Sequence, residues 1–395
     1  VRLDLRPFAN PIMLVSDSPG QPTGLARLCR DLATLLCTMP QFRVAVLGRT
    51  PFTGINKRSY PWMSYPFPEQ GQWGEEYILP AWKDFAGEDA GIIMSLWDLS
   101  RMLWFGQPHR LREDLATFLG PGRNFLKWAY VPVDSTGPDE HGLPIGMVEA
   151  AKGYDRMLAA SEWGANVVRR HRPCDWVPHG LDTAKFNIGP RRGTLDWPLE
   201  SIIVGCNMAN QARKDWPVAF ECARILKADF GNRFKMWAHT DTMTGYWNLY
   251  ALATDYGVGD AVEVTLDLTD EQLAQRYSAC DVTILPTGGE GFGYPIAESM
   301  ACGTACVTTD YAAGQELVDE DCRVPAVAFR VDTQHDVRRA VLSGWGFAGR
   351  AKAQIERKRD DWEYRGQQLR QRVEHLSWPK IGLVWRKWFL EGIGL

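Results

Sequence analysis

A chain of 395 residues exceeds the usual size of one domain, so two are expected. Its formal net charge of −4 gives no general pull toward nucleic acid or acidic lipid, and 45% hydrophobic with 23% charged residues is the make-up of an ordinary globular chain. Nine cysteines lie scattered without a CxxC pair, which argues against a disulfide scaffold or a metal site and for reduced thiols in a cytoplasmic protein; no leader and no membrane-length apolar run is expected.

In chain order, Pro11-Ile12-Met13-Leu14-Val15 reads as a first strand. A loop from Ser16 to Gly24 holds two prolines and two glycines. A helix follows, with Leu25, Leu28, Leu32, Leu35 and Leu36 at helical spacing and Thr23 as its N-cap. The loop is not a GxGxxG fingerprint, so a dinucleotide reading has little support. Phe42–Gly48 is the second strand. Pro51–Asp89 is read as an irregular segment rich in prolines and aromatics, among them Phe52, Trp62, Tyr65, Trp73 and Trp82. It is either one wall of a binding site or a surface loop packed on its own apolar cluster. Gly91–Leu96 and Phe125–Val131 are buried strands, and the second runs into Pro132-Val133-Asp134-Ser135-Thr136-Gly137-Pro138. Tyr154–Ser161 is a strand ending in a serine, Glu162–Arg170 a helix, and Asn187–Trp197 an aperiodic interdomain linker.

The second half repeats the βα logic without repeating residues. Ser201–Asn207 is a strand and turn. Gln211-Ala212-Arg213-Lys214-Asp215-Trp216-Pro217 then leads into a helix over Val218–Ala228. Two cations at a helix start oppose the helix dipole, and a bound anion would remove that penalty; the alternative is a solvated pair. Phe234–His239 is a strand whose last residue, His239, either meets a ligand or caps its loop. Ala261–Leu266 is a strand, followed by a helix that Thr269 caps and that runs through Cys280.

Asp281–Pro286 and Thr304–Thr309 are short buried strands, and the residues between them form a Gly-rich turn and a helix. Pro295 fits the first helical position and Gly303 the position just past the helix end. In a doubly wound α/β sheet ligands bind at the carboxyl ends of strands, where the loop Gly288–Gly293 lies, and the helix amides suit a phosphate. Glu290 and Glu298 flank that spot. A carboxylate can accept hydrogen bonds from two neighbouring hydroxyls, so a sugar accounts for acids beside a phosphate site. Toward the end of the chain, Arg350–Arg372 is helical with a basic excess, and Trp378–Leu390 is amphipathic and aromatic.

The stretch Glu290-Gly291-Phe292-Gly293, with Glu298 completing a Glu-x7-Glu spacing, closely resembles the signature of retaining GT-B glycosyltransferases, most like family GT4. The likeness is concentrated in Val262–Val318, extends to Val204–Leu226 and Tyr154–Phe186, and is thinnest in the N-terminal half. It implies an α/β fold of GT-B architecture, two Rossmann-like domains facing an interdomain cleft: 1–187 on the acceptor side, 188–372 binding a nucleotide-sugar, and a helix in 373–395 returning to the first domain. It implies that Glu298 holds the ribose hydroxyls and that the backbone of Gly291, Phe292, Gly293 and Tyr294 meets the phosphate or sugar. Glu290 would orient the transferred sugar, and the backbone around Leu268 would lie beside the base. Lys214 matches the family's diphosphate-binding lysine. The usual arginine position falls on Cys206 or Asn207, so Arg213 would take that role. Gly24 either lets a donor phosphate or acceptor come close or is a plain βα turn. Val133 stands where the family has a catalytic histidine, leaving Asp134 either facing the reacting centre or capping its loop.

The implied activity is transfer of a sugar from a nucleoside-diphosphate donor, with retention of configuration, to the hydroxyl of a glycan, lipid, small molecule or hydroxylated nucleic-acid base. No cofactor is expected. No Asp-x-Asp ends a strand in the donor half, so Arg213, Lys214 and helix amides are expected to replace a divalent metal. A catalytically degenerate nucleotide-sugar-binding protein and a GT-B-fold epimerase are the alternatives. Arg350–Arg372 leaves DNA open as a partner, and Trp378–Leu390 leaves a peripheral membrane contact open.

Overall fold

Every residue of Asn10–Asp17 is buried, as an inner strand of a parallel sheet requires, and this segment forms β1. The structure is a computed structural model and describes residues 5–50, 60–70, 73–139, 142–190 and 197–395. They divide into two units. The first comprises the chain through His179 together with Gln334–Val337 and Ile381–Leu395; the second comprises Gly180–Thr333 and Arg338–Lys380.

In the first unit, β1 leads to α1 (Gly24–Cys37), whose N-cap Thr23 accepts a hydrogen bond from the Ala26 N–H through its side chain. Then follow β2 (Phe42–Thr50), β3 (Met63–Pro68), α2 (Glu75–Ala86), β4 (Gly91–Ser95), α3 (Leu103–Gly106), α4 (Glu113–Leu119), β5 (Phe125–Val131), α5 (Ile145–Lys152), β6 (Arg156–Ala159), α6 (Glu162–Arg169) and the short β7 (Asp175–Trp176). The seven strands run parallel in the order β3-β2-β1-β4-β5-β6-β7. The order turns outward in both directions from β1 and β4, so their carboxyl ends form the switch point of this sheet.

The expectation of an irregular Pro51–Asp89 is corrected here: β3 and α2 lie within it. Pro66 and Pro68 belong to β3, a sheet edge, where a missing N–H breaks no inner ladder. Pro80 stands inside α2 but on its exposed side, while Ile78, Trp82 and Phe85 recur at helical spacing and are buried. Apolar burial at about 1.5–3 kcal/mol per large side chain outweighs the single backbone bond that the proline removes. Phe52 lies outside the described residues, as does the middle of the expected linker, 191–196.

The second unit holds β8 (Ile202–Asn207), α7 (Trp216–Phe230), β9 (Phe234–His239), α8 (Leu249–Asp255), β10 (Val262–Thr265), α9 (Asp270–Ala279), β11 (Val282–Leu285), α10 (Tyr294–Ala301), β12 (Cys306–Thr309), α11 (Gly314–Leu317), β13 (Arg323–Val324), β14 (Ala328–Asp332), β15 (Val337–Val341), α12 (Gly344–Asp360) and α13 (Trp362–Val373). Of these, Val337 of β15 groups with the first unit. Six strands run parallel in the order β10-β9-β8-β11-β12-β13, and β14 pairs with β15 in a separate two-stranded sheet. The switch point here lies between β8 and β11. In the basic stretch, Arg370 donates to the carbonyls of Thr183, Phe186 and Ala301, and Arg372 donates to the Leu317 carbonyl and pairs with Asp319.

The last helix, α14 (Trp378–Gly392), explains why Ile381–Leu395 groups with the first unit. Trp385 packs on Tyr130 with ring centroids 5.0 Å apart, Trp388 meets Trp128 edge-on at 5.0 Å, and Phe389 meets Phe42 at 5.8 Å. Trp385, Trp388 and Phe389 are all buried, so this helix completes the face of the sheet that β5 presents. Truncating Trp385 to alanine would cost roughly 3–5 kcal/mol. Two parallel-sheet α/β units and a final helix packed on the first are the architecture that the resemblance implied. Eight of the nine cysteines are buried and all are free thiols. Among the described residues no helix is long and apolar enough to cross a membrane.

Candidate active site

The switch point of the second sheet is where β8 and β11 hand over to their loops. Those loops are zipped together by backbone: Gly288 N–H donates to the Arg213 carbonyl (2.7 Å) and Asp215 N–H to the Pro286 carbonyl (3.0 Å), and Lys214 bridges Thr287. This pairing fixes two adjacent cations against the Gly-rich turn. Thr287 stiffens the turn from within, its hydroxyl donating to the Gly289 carbonyl at 3.0 Å. Gly293 has φ +99° at the N-cap of α10, and a Cβ there would come within 2.8 Å of the Ile296 side chain, so only glycine serves. Tyr294 and Pro295 are then the first two helical residues, and Gly303, φ +78°, ends the helix as expected.

Glu290, Arg213 and Lys214 form one ion cluster. Arg213 Nη1 lies 2.7 Å from Glu290 Oε1 and 2.8 Å from the Gly289 carbonyl, and Lys214 Nζ contacts the same Glu290 oxygen. Glu290 and Lys214 are each 5% exposed. Burial alone would raise the Glu290 pKa, but Arg213 and Lys214 outweigh it and hold the carboxyl below its usual range. The residue types were legible in the sequence; that the two cations meet the acid directly was not.

Glu298 is buried on the first turns of α10. The Tyr277 hydroxyl, from α9, donates to its Oε2 at 3.0 Å, and the Asn207 side-chain amide at the end of β8 donates to the Tyr277 oxygen at 2.7 Å. Burial, and then the adjacent Glu298, push the Tyr277 phenol well above its ordinary value, so it remains a hydrogen-bond donor. Thus Asn207, one of two residues at the position where an arginine was expected, holds Tyr277, and Tyr277 holds Glu298. Sequence reasoning missed Tyr277 because nothing local distinguishes it from a core tyrosine of α9.

Four further residues support this region. Arg339 on β15 is 8% exposed, its stem lies against Gly288, and its Nε lies 3.7 Å from Asp332. Trp247 donates its indole N–H to the Lys214 carbonyl at 2.9 Å, and Asn210 fixes that tryptophan by accepting from its N–H (2.8 Å) and donating to its carbonyl (2.8 Å). A chain-distant support of this kind leaves no spacing signal. His239 is tied to β10, its Nδ1 3.0 Å from the Thr265 hydroxyl, and burial lowers its pKa.

The remaining predicted residues fall as follows. Gly291, Phe292 and Gly293 are buried, and Tyr294 is half-buried with its ring edge-on to Phe292 at 5.3 Å. Leu268 is half-buried between Asp267, φ +53°, and Thr269, which caps α9 in a full capping box with Gln272. Gly24 and Asp134 belong to the first unit. Gly24 is the exposed first residue of α1; Asp134 accepts a hydrogen bond from the Ser135 hydroxyl at 2.8 Å, and Val133 beside it is buried. At that unit's own switch point a buried carboxylate was missed. Asp17 accepts from the Thr23 hydroxyl (2.8 Å) and the Trp97 indole (3.2 Å). Among the described residues no three His, Cys, Asp or Glu side chains converge as a metal site.

Comparison with known proteins bears on the same region. Residues 244–363 match the family model of glycosyl transferases group 1. The chain is 46% identical over 141 residues to a D-inositol 3-phosphate glycosyltransferase of Acidothermus cellulolyticus, a match covering 33% of this chain and 32% of that protein. It is 23% identical over 307 residues to the protein of the same name from Xylanimonas cellulosilytica, covering 71% and 69%. The first of these matches therefore spans about a third of the relative's length. Among solved structures, sucrose-phosphate synthase of Thermosynechococcus elongatus superposes with a TM-score of 0.74 at 17% identity, covering 97% of this chain and 98% of that one. Anabaena HepE in complex with UDP-glucose superposes with a TM-score of 0.69 at 13% identity, covering 96% and 99%.

Proposed function

We propose that this chain, whose residues 244–363 match the group 1 glycosyl transferases and which carries the GT-B fold, moves a sugar from a nucleoside-diphosphate donor to an acceptor hydroxyl, with retention of configuration and without a divalent metal. The observation that carries this reading is the convergence of Arg213, Lys214, Glu290 and the start of α10 on one loop at the switch point of the second sheet. Breaking a glycosidic bond to a diphosphate builds negative charge on the leaving oxygen. Arg213, Lys214 and the α10 amides are fixed charges and dipoles aimed at that position, and they stabilise the departing group without reorganising. Glu298, aimed by Tyr277, accepts the two ribose hydroxyls; Glu290 accepts hydroxyls of the transferred sugar. With the acceptor hydroxyl held on the same face as the leaving phosphate, the phosphate oxygen takes its proton and configuration is retained.

The bound nucleotides named in neighbouring structures, UDP-glucose in Anabaena HepE and UDP-2-fluoro glucose in the Escherichia coli trehalose-6-phosphate protein, support a nucleotide-sugar donor. Two sequence relatives are named D-inositol 3-phosphate glycosyltransferase, and D-inositol 3-phosphate is therefore the first acceptor to test. The donor assignment is tested by thermal shift with a panel of nucleotide-sugars against wild type and Glu298→Ala. The expected result is stabilisation of wild type by one nucleotide class, at least halved in the variant. No stabilisation of wild type, or an equal response of the variant, would refute the donor site.

A further inference from the structure

Glu290 is expected to face the transferred sugar, and Arg213 and Lys214 to face the diphosphate, yet the three side chains satisfy one another. Both cations converge on the same oxygen, Oε1, and the Lys214–Glu290 pair is almost wholly removed from water. Two adjacent positive groups in such a place need a counter-charge, because a buried cation without one is strongly unfavourable. We propose that Glu290 is a built-in counter-ion of the donor site: it offsets part of the charge of Arg213 and Lys214 when the diphosphate is absent and competes with the diphosphate for the same two cations. This rests on the donor-site reading above and adds a regulation of it.

The argument is one of charge and donor count. Arg213, Lys214 and Glu290 together carry a net +1, whereas the diphosphate of a bare nucleoside diphosphate carries at least two negative charges. A diphosphate that enters meets the same two cations and, as a second and larger negative charge beside the carboxylate, drives Glu290 Oε1 away from Arg213 and Lys214. The displaced carboxylate then needs new donors. A donor substrate supplies them as the hydroxyls of its sugar; the nucleoside diphosphate left after transfer does not, because the sugar has gone. The carboxylate therefore favours the intact donor over the spent product, and it returns to the cations as the product leaves. The same residue thereby links recognition of the sugar to release of the diphosphate. Gly289 is suited to this exchange, since its carbonyl keeps a second hold on Arg213 at 2.8 Å while the carboxylate moves.

The test is calorimetric binding of inorganic pyrophosphate and of UDP, GDP and ADP to the full chain as wild type, Glu290→Gln, Glu290→Asp and the double variant Arg213→Ala/Lys214→Ala. Glu290→Gln is expected to bind pyrophosphate and the preferred nucleoside diphosphate about tenfold tighter than wild type, which is about 1.4 kcal/mol. The preference for nucleotide-sugar over nucleoside diphosphate is expected to fall by at least as much. The double variant is expected to lose pyrophosphate binding. Equal or weaker pyrophosphate binding by Glu290→Gln, with wild-type binding still dependent on Arg213 and Lys214, would overturn the counter-ion role and leave the donor site standing. Wild-type binding that the double variant does not lose would overturn both. If Glu290→Gln does not fold without ligand, Glu290→Asp, which keeps the charge but withdraws it by one methylene, carries the test: an intermediate gain supports the proposal and no gain overturns it.

Discussion

Replacing Tyr277 with phenylalanine removes one oxygen from the centre of the Asn207–Tyr277–Glu298 chain and leaves the ring in place. The ring is fully buried and packs edge-on against Trp237 with centroids 5.4 Å apart, so the substitution opens no cavity larger than the hydroxyl itself. Two hydrogen bonds disappear, one to the Glu298 carboxyl at 3.0 Å and one from the Asn207 amide at 2.7 Å. Asn207 is half-buried and can turn toward water, whereas Glu298 is 3% exposed and cannot. The loss is therefore dominated by the acid, and hydrogen bonds to such groups contribute about 1.5–3 kcal/mol. About 2 kcal/mol of destabilisation, or roughly 4–8 °C in Tm for a unit of this size, is expected from urea and thermal unfolding followed by circular dichroism. Nucleotide affinity is expected to weaken by roughly tenfold, because the carboxyl that accepts the ribose hydroxyls is no longer aimed. A double-mutant cycle with Asn207→Ala separates the two bonds, and coupling of about 1 kcal/mol is expected between residues in one network. Stability within about 0.5 kcal/mol of wild type, together with unchanged nucleotide affinity, would refute the reasoning.

Two predictions concern pH and the first unit. His179 is buried against Tyr130, and burial, reinforced by Arg27, pushes its pKa down to about 3. A base whose folded pKa lies below its unfolded value of about 6.5 contributes stability that is whole above pH 6.5 and is lost as pH falls toward the folded value. Wild type should lose about 2 kcal/mol between pH 7.5 and 5 from this residue, and His179→Gln should flatten that part of the urea-midpoint profile; parallel profiles would refute it. Lys127 lies in the core of β5, with Nζ 4.7 Å from the centre of the Phe105 ring, and burial, then Arg123, lower its pKa to about 7. Here the contribution to stability is whole only above the unfolded pKa of about 10.4 and is lost as pH falls from there toward 7. Lys127→Met should therefore gain on wild type by about 2–3 kcal/mol between pH 9.5 and 7, and a pH-independent difference would refute the assignment.

The sheets were legible in the sequence because parallel inner strands are continuous apolar runs, and Phe125–Val131 and Phe234–His239 coincide with their strands end to end. The helix caps at Thr23 and Thr269 were legible because a cap is a local event of three or four residues. What escaped was whatever the local signal masks or distance hides. Pro80 conceals a helix whose buried face is otherwise regular, and prolines conceal an edge strand. The chain from Asn207 through Tyr277 to Glu298 joins residues 70 and 21 positions apart, and no spacing encodes it. Arg213, Lys214 and Glu290 were identified as chemistry but were given separate partners, because composition says which charges exist and only packing says which of them touch.

The return of the chain to the first unit also has a consequence during synthesis. Residues up to His179 leave the ribosome before the second unit, but Trp128, Tyr130 and Phe42 of the first sheet pack on Trp385, Trp388 and Phe389, which follow it. At about 5–20 residues per second, the intervening chain takes tens of seconds to appear. Throughout that interval the first sheet lacks the aromatic side chains of the last helix. Closure of the first unit's core therefore waits until the second sheet has been made, so a nascent chain arrested anywhere in that sheet is left with the first core open.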